Sequence, residues 1–298
     1  MKSSGYKALN MIQKLILFGR MIRFSHTVFA LPFALSAMLL GHRQRPITLQ
    51  TAIFILLAMI GARSAAMGFN RLADAEIDAQ NPRTFNRAIP AGLLTKKTVA
   101  IFVVVSSLLF LFSASLINPL CMALSLPVLL FLFSYSYTKR FTWLSHLYLG
   151  LTIGLAPIGA WIAVTGSVSY SIFILAFALV TYIAGFDILY ACQDIEFDKT
   201  RGLCSIPARW GIRSSLRISS MLHILSFILL VFIYPVFGMG IIYLISAGII
   251  GVLFLVEHRL VNPNDLSRVN MAFFHVNSLI SVMFFIGILL DELTRGCS

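Results

Sequence analysis

Charged residues are scarce in this sequence, and acidic residues are the scarcest of them. Asp, Glu, Lys and Arg make up 11% of the 298 residues, and only 11 residues are acidic, whereas about a quarter of a typical soluble domain is charged. The four cysteines have no CxxC spacing, which predicts neither a zinc site nor a disulfide framework. With 59% hydrophobic residues and a mean hydropathy of +0.90, this composition excludes an ordinary soluble domain.

Nine apolar segments are each long enough to cross about 30 Å of hydrocarbon as a helix of roughly 20 residues. They must be helical, because backbone groups in lipid have to form hydrogen bonds within their own segment. We therefore predict an all-α polytopic membrane protein, a single domain over residues 1–298. The predicted spans cover residues 20–41, 50–72, 97–117, 119–137, 143–165, 169–192, 214–235, 238–256 and 271–290.

The basic residues are unevenly distributed between the two ends of these spans. If the N-terminus is cytoplasmic, 19 of the 23 Lys and Arg residues lie on the cytoplasmic side, and only Arg43, Arg45 and Arg295 lie opposite. Such a surplus sets the orientation of membrane proteins, so we expect a cytoplasmic N-terminus in the inner membrane. It also explains the net charge of +12 without a nucleic-acid partner. We expect no cleavable signal peptide, because basic residues interrupt the short first apolar stretch, which is typical of an amphipathic lead-in.

Seven of the 11 acidic residues fall in two clusters, each at the predicted cytoplasmic end of a span. The segments DAEID (74–78) and DIEFD (194–198) share the pattern D-x-E-x-D, which is consistent with two related halves. Residues four apart lie on one face of a helix, so we expect two continuous stripes of oxygen ligands, with Glu76 and Glu196 pointing elsewhere. The stripes consist of Asn70, Asp74 and Asp78, and of Asp187, Asp194 and Asp198.

Two facing stripes of carboxylates repel each other unless positive charge lies between them. Mg²⁺ prefers oxygen ligands and characteristically combines one or two carboxylates with substrate phosphates. The clusters therefore predict a site for Mg²⁺ and a diphosphate. The alternative is that they are solvated loop charges, paired with the nearby basic residues Arg71, Arg83, Lys199 and Arg201.

Asp187 and Arg63 are ionisable residues inside predicted spans, where such side chains are costly and usually functional. Arg63 precedes Asn70 by seven residues and so shares its helix face. The two side chains either form a structural ion pair or belong to one polar cavity among the helices.

The motifs resemble those of the UbiA superfamily of intramembrane aromatic prenyltransferases. NRLADAEID (70–78) matches the family pattern NxxxDxxxD, and DILYACQDIEFD (187–198) matches DxxYAxxDxxxD. The nine predicted spans and the segment YSYTKRFTWLSHLYLGL after the fourth span agree with it, so the resemblance covers essentially the whole chain.

This resemblance implies a bundle of nine helices around a central cavity, which binds a polyprenyl diphosphate through Mg²⁺ held by both motifs. The implied metal ligands are Asn70, Asp74, Asp78, Asp194 and Asp198. The segment TKR (138–140) matches the family, which implies that Lys139 and Arg140 contact the diphosphate. The segment that contains Arg83, Arg87 and Pro90 resembles the family's stretch after the first motif.

Prenyl transfer of this kind develops negative charge on the leaving diphosphate, which metal ions and fixed cations stabilise. Arg63 is expected to add to that field, while Asp187 and Tyr190 are expected to orient the aromatic acceptor. If the acceptor carries a carboxylate, Arg23 is its expected partner, although a positive-inside anchor is an equally good interpretation.

The identity of the acceptor stays open at this point. The second motif looks most like the 4-hydroxybenzoate polyprenyltransferase branch of ubiquinone synthesis. The segment YACQDIEFDKTRGLCSIPARWG is also similar to relatives in menaquinone synthesis, which use a futalosine-derived or naphthoate acceptor. Heme or chlorophyll prenylation is a further alternative. An ion-coupled transporter is a distant one, because transporter sites usually lie near the midplane on interrupted helices.

Overall fold

The structure is a computed structural model that describes residues 11–295, and helices are its regular elements in this range. Lys2, Lys7 and Cys297, together with the start of the predicted lead-in, lie outside the described residues. The helices are α1 (Met11–Met21), α2 (Leu31–His42), α3 (Leu49–Ala73), α4 (Ala75–Gln80), α5 (Lys96–Ile117), α6 (Pro119–Thr138), α7 (Ser145–Thr165), α8 (Tyr170–Ala191), α9 (Ile195–Thr200), α10 (Ile206–Val236), α11 (Ile241–Leu260), α12 (Val269–Met271) and α13 (Asn277–Arg295).

Eight helical stretches of the described chain are long and apolar enough to cross a membrane. The predicted span over residues 20–41 is broken instead: a 3-10 helix (Phe24–Phe29) precedes the shorter apolar helix α2. Arg23 has the left-handed backbone conformation (φ 48°, ψ 59°), and Pro32 near the start of α2 cannot continue a preceding helix. The prediction of about nine membrane helices is confirmed, with the first one divided.

The long helices pack in two connected groups. A closed ring is formed by α2, α7, α8, α10, α11 and α13, each packed on the next, with α13 returning to α2. The helices α3, α5 and α6 pack on one another, and α6 joins them to α7. The helix α8, which carries the second acidic motif at its end, is the most buried of the eight stretches.

Two glycines one turn apart allow α7 and α8 to approach closely. A Cβ atom at Gly150 would lie under 3.0 Å from the backbone carbonyl oxygen of Val180, and one at Gly154 would lie 2.6 Å from the Val180 side chain. Helix association in a membrane depends on such close packing by small residues. Gly159, on the same helix, is exposed, and a Cβ atom there would meet no other side chain or helix within 4 Å.

Replacing Gly150 with Ala is expected to lower the thermal stability of the purified protein, since overpacking a tight contact costs about 1–3 kcal/mol. The matched variant Gly159→Ala is expected to leave stability unchanged or slightly higher, because Ala favours the helix more than Gly does. Thermal unfolding in one detergent measures both. Equal destabilisation by the two variants would contradict the close approach of α7 and α8.

Both acidic motifs interrupt their helices, so the expectation of two continuous stripes is wrong. The helix α3 ends at Ala73, and Asp74 has φ −95° and ψ 4° before α4 begins. The second motif repeats this shape: a 3-10 turn follows α8, and Asp194 has φ −103° and ψ 6° before α9 begins. After each break, the last aspartate of the motif is buried against basic side chains from other segments, which a buried carboxylate requires.

Candidate active site

The two acidic motifs lie side by side at one end of the bundle, and Arg83 joins them. Arg83 follows the first motif, yet its Nε donates a hydrogen bond of 2.8 Å to Asp194 Oδ1 in the second, and its Nη2 pairs with Asp194 Oδ2. Asn81 Nδ2 donates to the same Oδ1 at 3.3 Å. The loop after the first motif therefore holds Asp194 of the second motif in place.

Lys139 and Arg140, the predicted diphosphate contacts, lie one against each motif. Lys139 Nζ is 3.4 Å from Asp198 Oδ1, and Arg140 Nη2 is 3.5 Å from Asp74 Oδ1. The backbone N–H of Cys204 donates to the Lys139 carbonyl oxygen at 2.7 Å, which fixes the loop that carries both cations. These two consecutive residues therefore span the gap between the motifs.

The last aspartate of each motif is also held by side chains of the protein. Asp78 accepts two hydrogen bonds from Arg87 Nη1, of 2.6 and 2.8 Å, and its Oδ2 lies 3.6 Å from Arg71 Nη1. Asp198 is 1% exposed and accepts a hydrogen bond of 2.8 Å from the Ser205 hydroxyl, in addition to its ion pair with Lys139. These carboxylates are compensated by the protein itself.

Asp74 is less completely compensated. Asn70 Nδ2 donates a hydrogen bond to Asp74 Oδ2 at 2.8 Å. The side-chain oxygen of Asn70, Oδ1, therefore remains as a further oxygen ligand beside Asp74. Burial, and next the nearby Asp78 carboxylate, raise the pKa of Asp74. A cation beside Asp74 would favour its ionised form.

The donor chemistry fits Mg²⁺ that is shared with a substrate. Within residues 11–295, no three His, Cys, Asp or Glu side chains converge closely enough to form a metal cage by themselves. Mg²⁺ does not need such a cage, because it usually binds through one or two carboxylates, waters and substrate phosphates. Asn70 with Asp74 on one side, and Asp194 with Asp198 on the other, offer oxygen ligands of that kind.

Asp187 contacts His146 rather than Arg63. His146 Nδ1 on α7 lies 2.7 Å from Asp187 Oδ2 on α8. Arg63 instead donates from Nη2 to the carbonyl oxygen of Arg23 at 3.1 Å. An ion pair between Arg63 and Asp187, one of the two interpretations of these residues, is therefore wrong.

Arg23 and Arg63 are connected to the second motif through Tyr190. Arg23 is the non-glycine residue of the described chain with positive φ, and the hydrogen bond from Arg63 holds its carbonyl oxygen. The Tyr190 hydroxyl accepts hydrogen bonds from Arg83 Nη1 at 2.8 Å and from Arg23 Nη1 at 3.4 Å, while its ring packs on Phe273 with centroids 4.2 Å apart. Strained backbone held by its surroundings is common at binding sites.

A surface cavity of about 270 Å³ lies between the segments that follow the two motifs. It is lined by Ile77 and Gln80 from α4, by Arg140, and by Arg201, Gly202 and Leu203 after α9. Basic side chains therefore line an opening beside the carboxylates.

Sequence reasoning missed the roles of His146 and Arg87 and understated that of Arg83. The pairing alternative correctly names Arg71 and Arg83 as partners of the clusters, but the described ion pairs of the motifs do not include Lys199 or Arg201. Arg83 and Arg87 follow DAEID within nine positions, and this proximity was the sequence feature that could have indicated their roles. No such feature indicated the role of His146, because its partner Asp187 lies 41 residues away in the sequence.

The family comparison agrees with this geometry. A model of the UbiA prenyltransferase family matches residues 30–279. The chain belongs to the UbiA prenyltransferase family. It is an integral multi-pass membrane protein and a prenyltransferase, and membership of this family excludes the ion-coupled transporter.

Curated relatives of this UbiA family member include two proteins named 4-hydroxybenzoate octaprenyltransferase. The protein from Saccharophagus degradans is 29% identical over 245 residues, which is 81% of this chain and 80% of the relative. The protein from Xanthomonas campestris pv. campestris is 32% identical over 227 residues, 76% of this chain and 74% of the relative.

Solved UbiA structures share the fold. A UbiA homologue from Aeropyrum pernix K1 superimposes with a TM-score of 0.82 at 31% identity, over 89% of this chain and 98% of the homologue. A UbiA homologue from Archaeoglobus fulgidus, solved with GPP and Mg²⁺ bound, has a TM-score of 0.68 at 21% identity, over 92% and 99% of the two chains. The latter likeness concerns the fold alone.

Replacing Asp74 or Asp194 with Ala is expected to lower prenyl-transfer turnover by at least about 100-fold, the cost of losing one group that stabilises charge in a transition state. The matched variants Glu76→Ala and Glu196→Ala remove exposed acids from the same motifs and are expected to retain near-normal rates. Steady-state rates in membranes, with protein levels from immunoblots, test this. Near-normal turnover of both aspartate variants would contradict the site.

Proposed function

We propose that this UbiA family member transfers a polyprenyl group from a polyprenyl diphosphate to the ring of an aromatic acid of the 4-hydroxybenzoate type, in respiratory quinone biosynthesis. The observation that supports this most is that Arg83, in the loop after the first motif, pairs with Asp194 of the second motif, while Lys139 and Arg140 pair with one motif each. The names of the curated relatives favour 4-hydroxybenzoate as the acceptor.

The diphosphate is proposed to bind between the motifs. Lys139 and Arg140 offer side-chain donors to its oxygens, and their side chains are 36% and 39% exposed, so both can reach a ligand. Mg²⁺, held by Asn70, Asp74, Asp78, Asp194 and Asp198, would neutralise charge on the leaving diphosphate. Asp78 and Asp198 also act by keeping Arg87 and Lys139 in place.

The acceptor is proposed to bind beside Tyr190. A carboxylate on the ring would pair with Arg23, whose guanidinium already reaches the Tyr190 hydroxyl. Arg63 would act by holding the Arg23 backbone and by adding positive potential. Aromatic side chains around this position, including Phe273, would exclude water from the allylic cation and stabilise it by cation–π interaction.

The acceptor ring must also be oriented toward the allylic carbon of the prenyl group. Asp187 is partly exposed, with 21% of its side chain accessible, while its partner His146 is buried at 2%. A carboxylate in this position can accept a hydrogen bond from the acceptor, and the His146 contact fixes its orientation. Asp187 and Tyr190 are therefore proposed to orient the ring.

The end of the bundle that carries the two acidic motifs is proposed to face the cytoplasm, with the protein in the inner membrane. The distribution of Lys and Arg supports this orientation through the positive-inside bias. Water-soluble acceptor and Mg²⁺ would then reach the site from the cytoplasm, while the prenyl chain comes from the bilayer.

Incubating membranes that contain the protein with labelled polyprenyl diphosphate, Mg²⁺ and a panel of aromatic acids tests the proposed reaction. We expect a Mg²⁺-dependent prenylated product with 4-hydroxybenzoate, and little with dihydroxynaphthoate or with futalosine-derived acids. Product with another acid alone would assign a different acceptor. No Mg²⁺-dependent product with any acceptor, from folded protein, would contradict the proposal.

Arg23→Gln is expected to raise the KM for the aromatic acid about tenfold or more while leaving the KM for the prenyl diphosphate within about twofold, because a lost charge-assisted hydrogen bond costs roughly 1.5–3 kcal/mol. Arg20→Gln, which removes an exposed charge three residues earlier, is the control and is expected to change neither constant. If Arg23→Gln raised both KM values equally, the specific contact with the acceptor would be wrong.

A further inference from the structure

A second polar groove lies away from the acidic motifs, between α10, α11 and the loop after α11. Its volume is about 580 Å³, and its polar lining is formed by Arg213, Arg217, Ser220 and His258, next to apolar side chains that include Leu216 and Met221. No residue proposed to bind diphosphate, metal or acceptor lines it. The groove lies at the same end of the bundle as the motifs, since α10 begins there and α11 ends there.

The groove carries two positive charges that no carboxylate of the described chain neutralises. Arg213 and Arg217 are four residues apart, so they lie on one face of α10. Both are exposed, and neither guanidinium forms an ion pair with a carboxylate in the described range 11–295. The helix is interrupted at Gly211 (φ 75°, ψ 173°), so a new helical segment begins next to Arg213, and its amino-terminal dipole also favours an anion.

The remaining polar wall of the groove is fixed by buried contacts. His258 Nδ1 lies 3.1 Å from the Ser220 hydroxyl, and His258 Nε2 lies 2.9 Å from Nδ1 of His223, which is 1% exposed. A wall held from the bundle interior indicates a formed groove, unlike two arginines on a smooth surface.

Apolar rows lead from the groove along both helices. Met221, Ile224 and Ile228 of α10 are 70%, 60% and 55% exposed, and they follow Arg217 on the same helix face. On α11, Leu255 and Val252 are 64% and 59% exposed and precede His258 by three and six residues. The surface therefore has basic side chains at one end and exposed hydrocarbon side chains beyond them, which is complementary to a phospholipid with an anionic headgroup.

We propose that this groove binds an anionic phospholipid, with its phosphate between Arg213 and Arg217 and its acyl chains along α10 and α11. Basic pockets between membrane helices near the interface bind such headgroups. The proposal does not depend on the prenyl-transfer reaction, because the groove and the motifs share no residue.

Native mass spectrometry of the full chain, purified in a neutral detergent and titrated with dioleoyl phosphatidylglycerol or dioleoyl phosphatidylcholine, tests the site. Arg213→Gln/Arg217→Gln is expected to weaken binding of the most tightly bound phosphatidylglycerol about 30-fold, which is roughly fivefold for each charge removed. Binding of phosphatidylcholine is expected to stay unchanged, which also shows that the variant is folded.

Arg20→Gln/Lys97→Gln is the matched control, because it removes two exposed charges at the same end of the bundle but outside the groove. It is expected to change phosphatidylglycerol affinity less than about twofold. Equal losses in the two double variants would overturn the proposal in favour of unspecific attraction. Displacement of the lipid by millimolar inorganic phosphate would overturn it in favour of a free-anion site.

Discussion

The pairing of buried aspartates with arginine and lysine side chains from separate segments is the interaction on which this structure depends. Asp78, Asp194 and Asp198 are all at most 6% exposed, and a buried carboxylate that loses its partner destabilises a protein by several kcal/mol. Their cations come from the end of α3, the loop after α4 and the loop after α6. Charge compensation therefore fixes three separate parts of the chain against one another at one end of the bundle.

The same pairing prepares this end of the bundle for an anionic substrate. In the proposed reaction, Lys139 and Arg140 exchange part of their interaction with Asp198 and Asp74 for interaction with diphosphate oxygens. The carboxylates of the two motifs would hold Mg²⁺, which would supply further positive charge beside the diphosphate. Little rearrangement is needed, because the cations already lie between the motifs. Preorganised charge of this kind stabilises a leaving group without a reorganisation cost at the moment of reaction.

The long helices could be predicted from the sequence because the bilayer imposes a simple rule on apolar length. The span predicted over residues 97–117 is the helix Lys96–Ile117, and the one over 169–192 is Tyr170–Ala191. The first span departs from this rule because Arg23 and Pro32 break it. The conformation of Arg23 is accompanied by a hydrogen bond from Arg63 to its carbonyl oxygen, which sequence spacing does not reveal. The break within each acidic motif was missed for the same reason, since local spacing favours a continuous helix.

The site was only partly predictable. The spacing of Asp74, Asp78, Asp194 and Asp198 reveals two sets of carboxylates, and family resemblance brings in Lys139 and Arg140. Which cation meets which carboxylate is a tertiary property. Arg83 reaches Asp194 across 111 positions, and His146 reaches Asp187 across 41, distances over which no periodicity carries information.

The central claim is that both motifs form one binding site, and a double-mutant cycle on ligand binding tests it most directly. Binding of a non-reactive thio-analogue of geranyl diphosphate would be measured by calorimetry, with and without Mg²⁺, for the native protein, Asp74→Ala, Asp194→Ala and the double variant. One shared site predicts that either single change removes most of the Mg²⁺-dependent binding and that the second change adds little. Losses that add fully, or retention of Mg²⁺-dependent binding in either single variant, would mean that the motifs act separately.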